Sequence, residues 1–228
     1  MKRFIGFIAA VLMGTSLMAQ NYDYKPRESW PYLLEGFTSG QVHTPGGLDL
    51  TEGVYNVSVV DGKLHYVQDG RIMAADMRQV QIVRIGESIF INRYGKLYQC
   101  LSEEQGGNYL LLYTSVDMEQ LGKTDIGYGI SSATASTQKL SSVFGSQVNM
   151  ELSTAIAQSK DGQVLPLDKK YYFLLGSKEI PADKKSFLEL PGIDKAKAKA
   201  FLKEKKIKWY QPESLSEVLR YIVENSKQ

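Results

Sequence analysis

Two histidines and one cysteine are the side chains of this 228-residue sequence best suited to nucleophilic or acid–base chemistry. A Ser-His-Asp or Cys-His mechanism requires a histidine base that a nucleophile can reach. His43 lies in a Gly/Pro-rich stretch, and His65 lies on a predicted strand. Neither a Gly-x-Ser-x-Gly elbow nor a His-Glu-x-x-His helix occurs. No catalytic residue is therefore predicted, and a hydrolase is the least favoured of three functional hypotheses.

Metal and cofactor sites have recognisable spacings, which this sequence lacks. A zinc site needs three or four nitrogen, sulfur or oxygen ligands, and no spaced cluster supplies them. Gly127-Tyr128-Gly129 lies in a small, polar stretch, but the Gly-x-Gly-x-x-Gly and Gly-Lys-Ser/Thr patterns of phosphate loops are absent. The sequence thus predicts no metal and no cofactor.

Cys100 is the only cysteine, so the chain cannot form an intrachain disulfide. It lies in the strand-like stretch "KLYQCLSE". This setting favours a buried, inert thiol over a reactive or intermolecular one.

Aromatic side chains near the edges of predicted elements are candidates for binding a small ligand or a carbohydrate. Aromatic faces stack on sugar rings, and they also fill ordinary cores. The candidates for such a site are Trp30, Tyr32, Trp209 and Tyr210. A small-ligand or carbohydrate-binding protein is the second functional hypothesis.

The segment "LPGIDKAKAKAFLKEKKIK" concentrates positive charge. Its lysines predict either a solvated basic face or contact with an anionic surface, such as lipid headgroups or an acidic polysaccharide. The candidates for that contact are Lys195, Lys199, Lys203 and Lys206. Leu190-Pro191-Gly192-Ile193 also resembles the hairpin of helix-hairpin-helix DNA-binding modules. Asp194 replaces the second glycine of that motif, which puts a carboxylate where phosphate should approach, and no nucleic-acid partner is predicted.

The first 19 residues have the features of a secretory signal peptide. Lys2 and Arg3 precede an apolar run from Phe4 to Met13, and small residues lead to Ala19. The run is shorter than the roughly 20 residues that span a bilayer. Cleavage after Ala19 would remove two of the 27 basic residues, Lys2 and Arg3, and none of the 25 acidic ones, which leaves 25 of each. The sequence therefore predicts an exported, charge-balanced mature protein that is periplasmic, associated with the outer membrane or secreted, without a later transmembrane segment.

Two Asp-Gly pairs indicate β-hairpin turns, because this dipeptide readily adopts the positive φ angles of type I′ turns. Asp61-Gly62 and Asp69-Gly70 separate three predicted strands. These strands are predicted at Val54–Val60, Lys63–Gln68 and Arg71–Asp76. Together they predict an antiparallel meander.

The remaining chain divides by composition into regions of different structure. Residues 20–30 are a predicted flexible lead-in, 31–120 an antiparallel β-rich region and 121–146 a polar loop. Residues 147–181 form a mixed segment with a strand near 170–175, and 182–228 a helical region. The last helix is predicted from apolar residues at helical spacing, namely Leu215, Val218, Leu219, Ile222 and Val223. The predicted class is α+β, with a curled antiparallel sheet or a small β-sandwich followed by a cluster of short helices.

The C-terminal stretch "KKSFLELPGIDKAKAKAFLKEKKIKWYQPESLSEVLRYIVEN" resembles the tails of exported proteins from Bacteroidetes-type bacteria, over about the last 45 residues. The resemblance implies a Gram-negative envelope setting and brings no activity with it. The leading hypothesis is an exported, non-enzymatic structural or interaction module of the envelope. Its expected partner is another envelope protein or a polysaccharide.

Overall fold

The computed structural model describes residues 31–46, 50–117, 150–151 and 167–225. The predicted signal peptide, the lead-in with Trp30, the 121–146 loop with Gly127-Tyr128-Gly129, and most of residues 147–166 lie outside the described residues. The strands are β1 (Thr38–His43), β2 (Leu50–Val57), β3 (Leu64–Gln68), β4 (Arg71–Ala74), β5 (Ile82–Ile85), β6 (Ser88–Arg93), β7 (Lys96–Glu104), β8 (Asn108–Val116), β9 (Met150–Glu151), β10 (Leu167–Leu175) and β11 (Lys178–Pro181). The helices are α1 (Lys184–Leu188), α2 (Lys195–Glu204) and α3 (Pro212–Asn225).

The described strands form one antiparallel sheet in the order β11-β10-β8-β7-β6-β5-β1-β2-β3-β4-β9. Most neighbours in the sheet are also neighbours in the chain, but β1 lies between β5 and β2. The predicted α+β class, with a curled antiparallel sheet followed by short helices, is confirmed. The sequence left two architectures open, a curled sheet and a small β-sandwich, and the structure shows the curled sheet.

The curl is visible in backbone hydrogen bonds between strands that are distant in the sheet order. The Leu97 N–H donates to the Gly62 carbonyl at 2.8 Å, and the Val116 N–H donates to the Val59 carbonyl at 3.0 Å. Leu97 and Val116 belong to β7 and β8, whereas Val59 and Gly62 lie between β2 and β3. The sheet therefore bends until its β2–β3 connection meets β7 and β8.

The two Asp-Gly pairs adopt different turns. Asp69 and Gly70 both have positive φ, at 49° and 73°, as a type I′ turn between β3 and β4 requires. At the other pair, only Gly62 has positive φ (72°). There β2 ends at Val57, three residues before the predicted end, and the connection to β3 is closed by hydrogen bonds from the Ser58 N–H to the Lys63 carbonyl (3.0 Å) and from the Gly62 N–H to the Ser58 carbonyl (2.9 Å).

The inner face of the sheet, defined here as the face on which the helices pack, carries most of the core. Leu110 and Phe173 from this face pack with the buried side of α3, which consists of Leu215, Val218, Leu219 and Ile222. The other half of the inner face holds a second cluster, formed by Val42, Tyr55, Val57, Leu64, Val80, Val83, Ile85, Phe90 and Leu97. Among the described residues, no helix has the length and apolar character to span a bilayer.

Candidate functional site

Three of the four lysines predicted to contact an anionic surface share one side of α2. Lys195, Lys199 and Lys203 follow at spacings of four positions, which keeps them on one face of the helix, and Lys206 lies two residues beyond its end. All four are exposed. Within the described part of the chain, none of them forms an ion pair. The stripe, as we call these four residues, is therefore a row of cations with no internal counterion.

Residues at its two ends determine where α2 begins and where it ends. Asp194 caps the start, since its Oδ1 accepts hydrogen bonds from the N–H groups of Ala196 (2.8 Å) and Lys197 (3.1 Å). These backbone hydrogen bonds lower the pKa of the Asp194 carboxyl. Lys206, at φ 51°, ends the helix in the left-handed conformation. Because the Asp194 carboxylate occupies the helix N-terminus, the position that phosphate takes in a helix-hairpin-helix module is already filled.

Of the predicted aromatic residues that the structure describes, Tyr32 and Trp209 pack in different parts of the core, and Tyr210 is exposed. Tyr32 is only 7% exposed and packs edge-on against Phe37, so its ring has no free face for a ligand. Trp209 is half-buried and packs near Phe187 in the helical core, with ring centroids 6.1 Å apart. Tyr210 is 69% exposed and follows the stripe closely in sequence. Trp30 lies outside the described residues.

The two histidines differ in their surroundings. His43 ends β1 and is half-buried. His65, on β3, is completely buried, and its Nδ1 lies 3.1 Å from the Tyr32 hydroxyl. Its Nε2 lies 3.7 Å from Oδ2 of Asp61. An imidazole with no solvent-exposed surface cannot act on an external substrate, so the geometry gives His65 the role of holding Tyr32 and Asp61 in place.

Asp61 links this buried network to the surface. Burial alone would raise the pKa of its carboxyl, but contacts with His65, Ser58 and the Lys63 N–H outweigh burial and lower the pKa to about 2. The Asp61 side chain retains 28% exposure. It is therefore a permanently charged carboxylate, fixed from the inside, at the edge of a groove.

The groove has a volume of about 440 Å³ and lies where three connections of the sheet meet. The β2–β3 connection supplies Asp61 and Lys63 to its wall. The β4–β5 connection supplies Ala75 to Arg78, and the β6–β7 hairpin supplies Tyr94 to Lys96. The curl of the sheet brings these connections together. None of these groove residues is predicted as a site from the sequence.

Tyr94 is the most unusual residue of this groove. It is 82% exposed and has a φ of 53°, while Gly95 has a φ of 79°. The two residues form a type I′ turn, in which Asn or Asp is the usual first residue. The Arg93 guanidinium lies 5.2 Å from the centroid of the Tyr94 ring. A tyrosine before glycine between two apolar runs, in "FINRYGKLYQC", is the sequence signal that could have identified this residue.

Cys100 is half-buried on β7, and its Sγ lies 3.6 Å from the Ser102 carbonyl. Burial and, to a smaller extent, the charge of Glu103 raise the pKa of the thiol to about 11. Almost none of such a thiol is ionised to the reactive thiolate at neutral pH. The described residues contain no group of three or more His, Cys, Asp or Glu side chains that could hold a metal ion.

Comparison with known proteins gives no family for this chain: no protein-family model, no curated protein and no solved structure matches it.

Proposed function

We propose that this chain is an exported, non-enzymatic interaction module of a Gram-negative envelope, and that it docks on an anionic lipid surface through the stripe. The predicted signal peptide supports the compartment. One observation supports the docking surface: Lys195, Lys199 and Lys203 lie along one exposed side of α2, with Lys206 just beyond its end, and none of the four has a counterion among the described residues.

The magnitude of the attraction is sufficient for reversible docking. A lysine close to an anionic bilayer contributes about 1 kcal/mol. Four such lysines contribute about 4 kcal/mol, which corresponds to roughly a thousandfold in affinity. Tyr210, which is exposed next to the stripe, adds an amphipathic ring of the type that is enriched at the membrane interface. The contact is peripheral, and salt weakens it.

Vesicle co-sedimentation tests the proposal. The chain lacking the predicted signal peptide (residues 20–228) is mixed with vesicles of phosphatidylglycerol and phosphatidylcholine, or of phosphatidylcholine alone. We expect sedimentation only with the anionic vesicles at about 0.1 M salt, and its loss near 1 M salt, where the Debye length falls to about 3 Å. Equal sedimentation with both kinds of vesicle, or with neither, would contradict the proposal.

A matched pair of variants separates the stripe from net charge. The first variant changes all four stripe lysines to glutamine. The second changes four exposed lysines outside α2 in the same way, namely Lys169, Lys178, Lys184 and Lys185. We expect the first variant to lose at least about tenfold in vesicle affinity and the second to change little. Equal losses would show that net charge alone drives the binding.

A further inference from the structure

The groove beneath Tyr94 is a second surface with the features of a binding site, distinct from the stripe. Its charged side chains are three cations, Lys63, Arg78 and Lys96, and two carboxylates, Asp61 and Asp76. The Asp76 Oδ2 accepts a hydrogen bond from the Arg78 Nη2 at 2.7 Å. Lys63 lies 3.9 Å from Asp61. Of the three cations, Lys96 therefore lacks a carboxylate partner within the described structure, and the groove has one positive charge in excess.

The Lys96 ammonium lies over an aromatic ring. Its Nζ lies 5.3 Å from the centroid of the Tyr113 ring, and the lysine is exposed. Tyr94 is next but one in sequence, on the same hairpin. The hairpin therefore carries an exposed aromatic ring and, two positions later, a cation without a carboxylate partner among the described residues.

The backbone conformation of Tyr94 is unfavourable for a residue other than glycine. A left-handed backbone costs a residue other than glycine about 1–2 kcal/mol. Packing does not offset this cost, because Tyr94 is 82% exposed. The Arg93 contact, at an exposed site, is worth about 0.5–1 kcal/mol. Asparagine would suit the same turn better and has no ring. The ring itself is thus the property that tyrosine adds at this position.

We infer that the groove binds an acidic oligosaccharide: a sugar ring stacks on Tyr94, and a sugar carboxylate or sulfate is held by Lys96. Arg93 lies against one face of the Tyr94 ring, and the opposite face takes the apolar C–H side of the sugar. Asp61, held from behind by His65, keeps Lys63 at the wall of the groove. This site does not depend on docking of the stripe on lipid.

The test is calorimetric titration of residues 20–228 with two probes of the same ring structure. The first probe is oligogalacturonate, and the second is its fully methyl-esterified, neutral form. We expect the acidic probe to bind and the neutral probe to bind at least about tenfold more weakly. Equal binding of both probes, or no binding of the acidic probe at millimolar concentration, would overturn the inference.

Variants at the hairpin locate the site. Tyr94→Asn removes the ring and places the favoured Asn-Gly pair in the turn, so the thermal midpoint should stay the same or rise. We expect Tyr94→Asn and Lys96→Gln each to weaken binding of the acidic probe about tenfold. The controls are Tyr210→Asn, which removes the other strongly exposed tyrosine of the described residues, and Lys178→Gln. Unchanged binding by Tyr94→Asn would overturn the assignment.

The two proposals fail independently. If the glutamine variant of the stripe lost oligosaccharide binding while Tyr94→Asn kept it, the acidic sugar would bind at α2, and the inference would be overturned. Retained oligosaccharide binding in that variant, with vesicle binding lost, is the expected result.

Discussion

The hydroxyl of Tyr32 lies 3.1 Å from Nδ1 of His65, and both side chains are buried although they are 33 positions apart in the chain. This contact fastens the segment before β1 to strand β3. The Asn56 side chain reinforces it, because its Nδ2 donates to the carbonyls of Leu34 and Gly36, at 3.0 Å each. A short segment without regular structure is thereby fixed to the curled sheet by side-chain hydrogen bonds.

We expect Tyr32→Phe to destabilise the protein by about 1–2 kcal/mol, because the substitution removes a hydrogen bond from a buried imidazole while the ring is kept. Urea unfolding followed by tyrosine fluorescence measures the change. Tyr210→Phe is the matched control, since its hydroxyl belongs to an exposed residue. Equal stability of Tyr32→Phe and the wild type would show that the hydroxyl contributes nothing to the fold.

The lowered pKa of Asp61 predicts a pH-dependent contribution to stability. Its folded value of about 2 lies below the ordinary value of 3.8. A carboxyl whose pKa is lower in the folded state than in the unfolded state stabilises the folded protein at pH values above the unfolded pKa. That contribution is lost as the pH falls towards the folded pKa. With a discount for partial exposure, we expect Asp61→Asn to cost about 1–2 kcal/mol at pH 7.

The difference between the wild type and Asp61→Asn should shrink between about pH 4 and pH 2. Urea midpoints measured across that range give the difference directly. Asp76 and Asp194 also have lowered pKa values. The comparison therefore has to be made between the two proteins at each pH. A constant difference from pH 7 to pH 2 would contradict the ionic role of Asp61.

The raised pKa of Cys100 predicts slow labelling by thiol reagents. With a pKa of about 11, the thiolate is scarce at pH 8 and increases about tenfold per pH unit up to pH 10. The rate of reaction with Ellman's reagent should follow this increase. Urea-unfolded protein is the control, since its thiol has an ordinary pKa of about 8.5. Equally fast labelling of folded and unfolded protein at pH 7 would contradict the raised pKa of the Cys100 thiol.

Short sequence patterns were sufficient to predict the turns and helices whose formation depends on residues close together in the chain. The Asp69-Gly70 turn forms because both residues accept positive φ, and α3 forms where its apolar residues recur at helical spacing. These features follow from a few adjacent side chains. The α+β class follows from their order along the chain.

Contacts between distant segments could not be predicted in this way. The insertion of β1 between β5 and β2 and the burial of Tyr32 depend on where remote backbone lies. Asp61-Gly62 departs from a type I′ turn because the connection is closed one step earlier, where the Ser58 N–H donates to the Lys63 carbonyl and the Gly62 N–H donates to the Ser58 carbonyl, while the Val59 N–H donates to the remote Pro31 carbonyl. The groove escaped prediction for the same reason, since its three connections meet only after the sheet has curled.

Gly40 on β1 is predicted to tolerate no side chain. A Cβ at this position would collide with the Arg84 carbonyl oxygen of β5 and would lie 3.2 Å from the Tyr55 ring. Because the colliding atom belongs to the backbone, β1 and β5 must separate. We expect Gly40→Ala to cost about 1–3 kcal/mol, the usual cost of overpacking. Gly70→Asn is the control, because nothing lies within 4 Å of a Cβ there and asparagine tolerates positive φ.

Phe187 of α1 joins the helices to the sheet, and its removal should separate the helical layer from the curled sheet. The side chain is completely buried in the cluster that holds Leu110 and Phe173 of the sheet, and its ring lies 5.8 Å from that of Tyr221 on α3. We expect Phe187→Ala to cost about 3–5 kcal/mol because it leaves a cavity between layers. Tyr210→Ala removes a larger side chain from the surface and should cost under about 0.5 kcal/mol. Equal losses for the two variants, measured by urea unfolding, would show that the helices contribute little to the stability of the sheet.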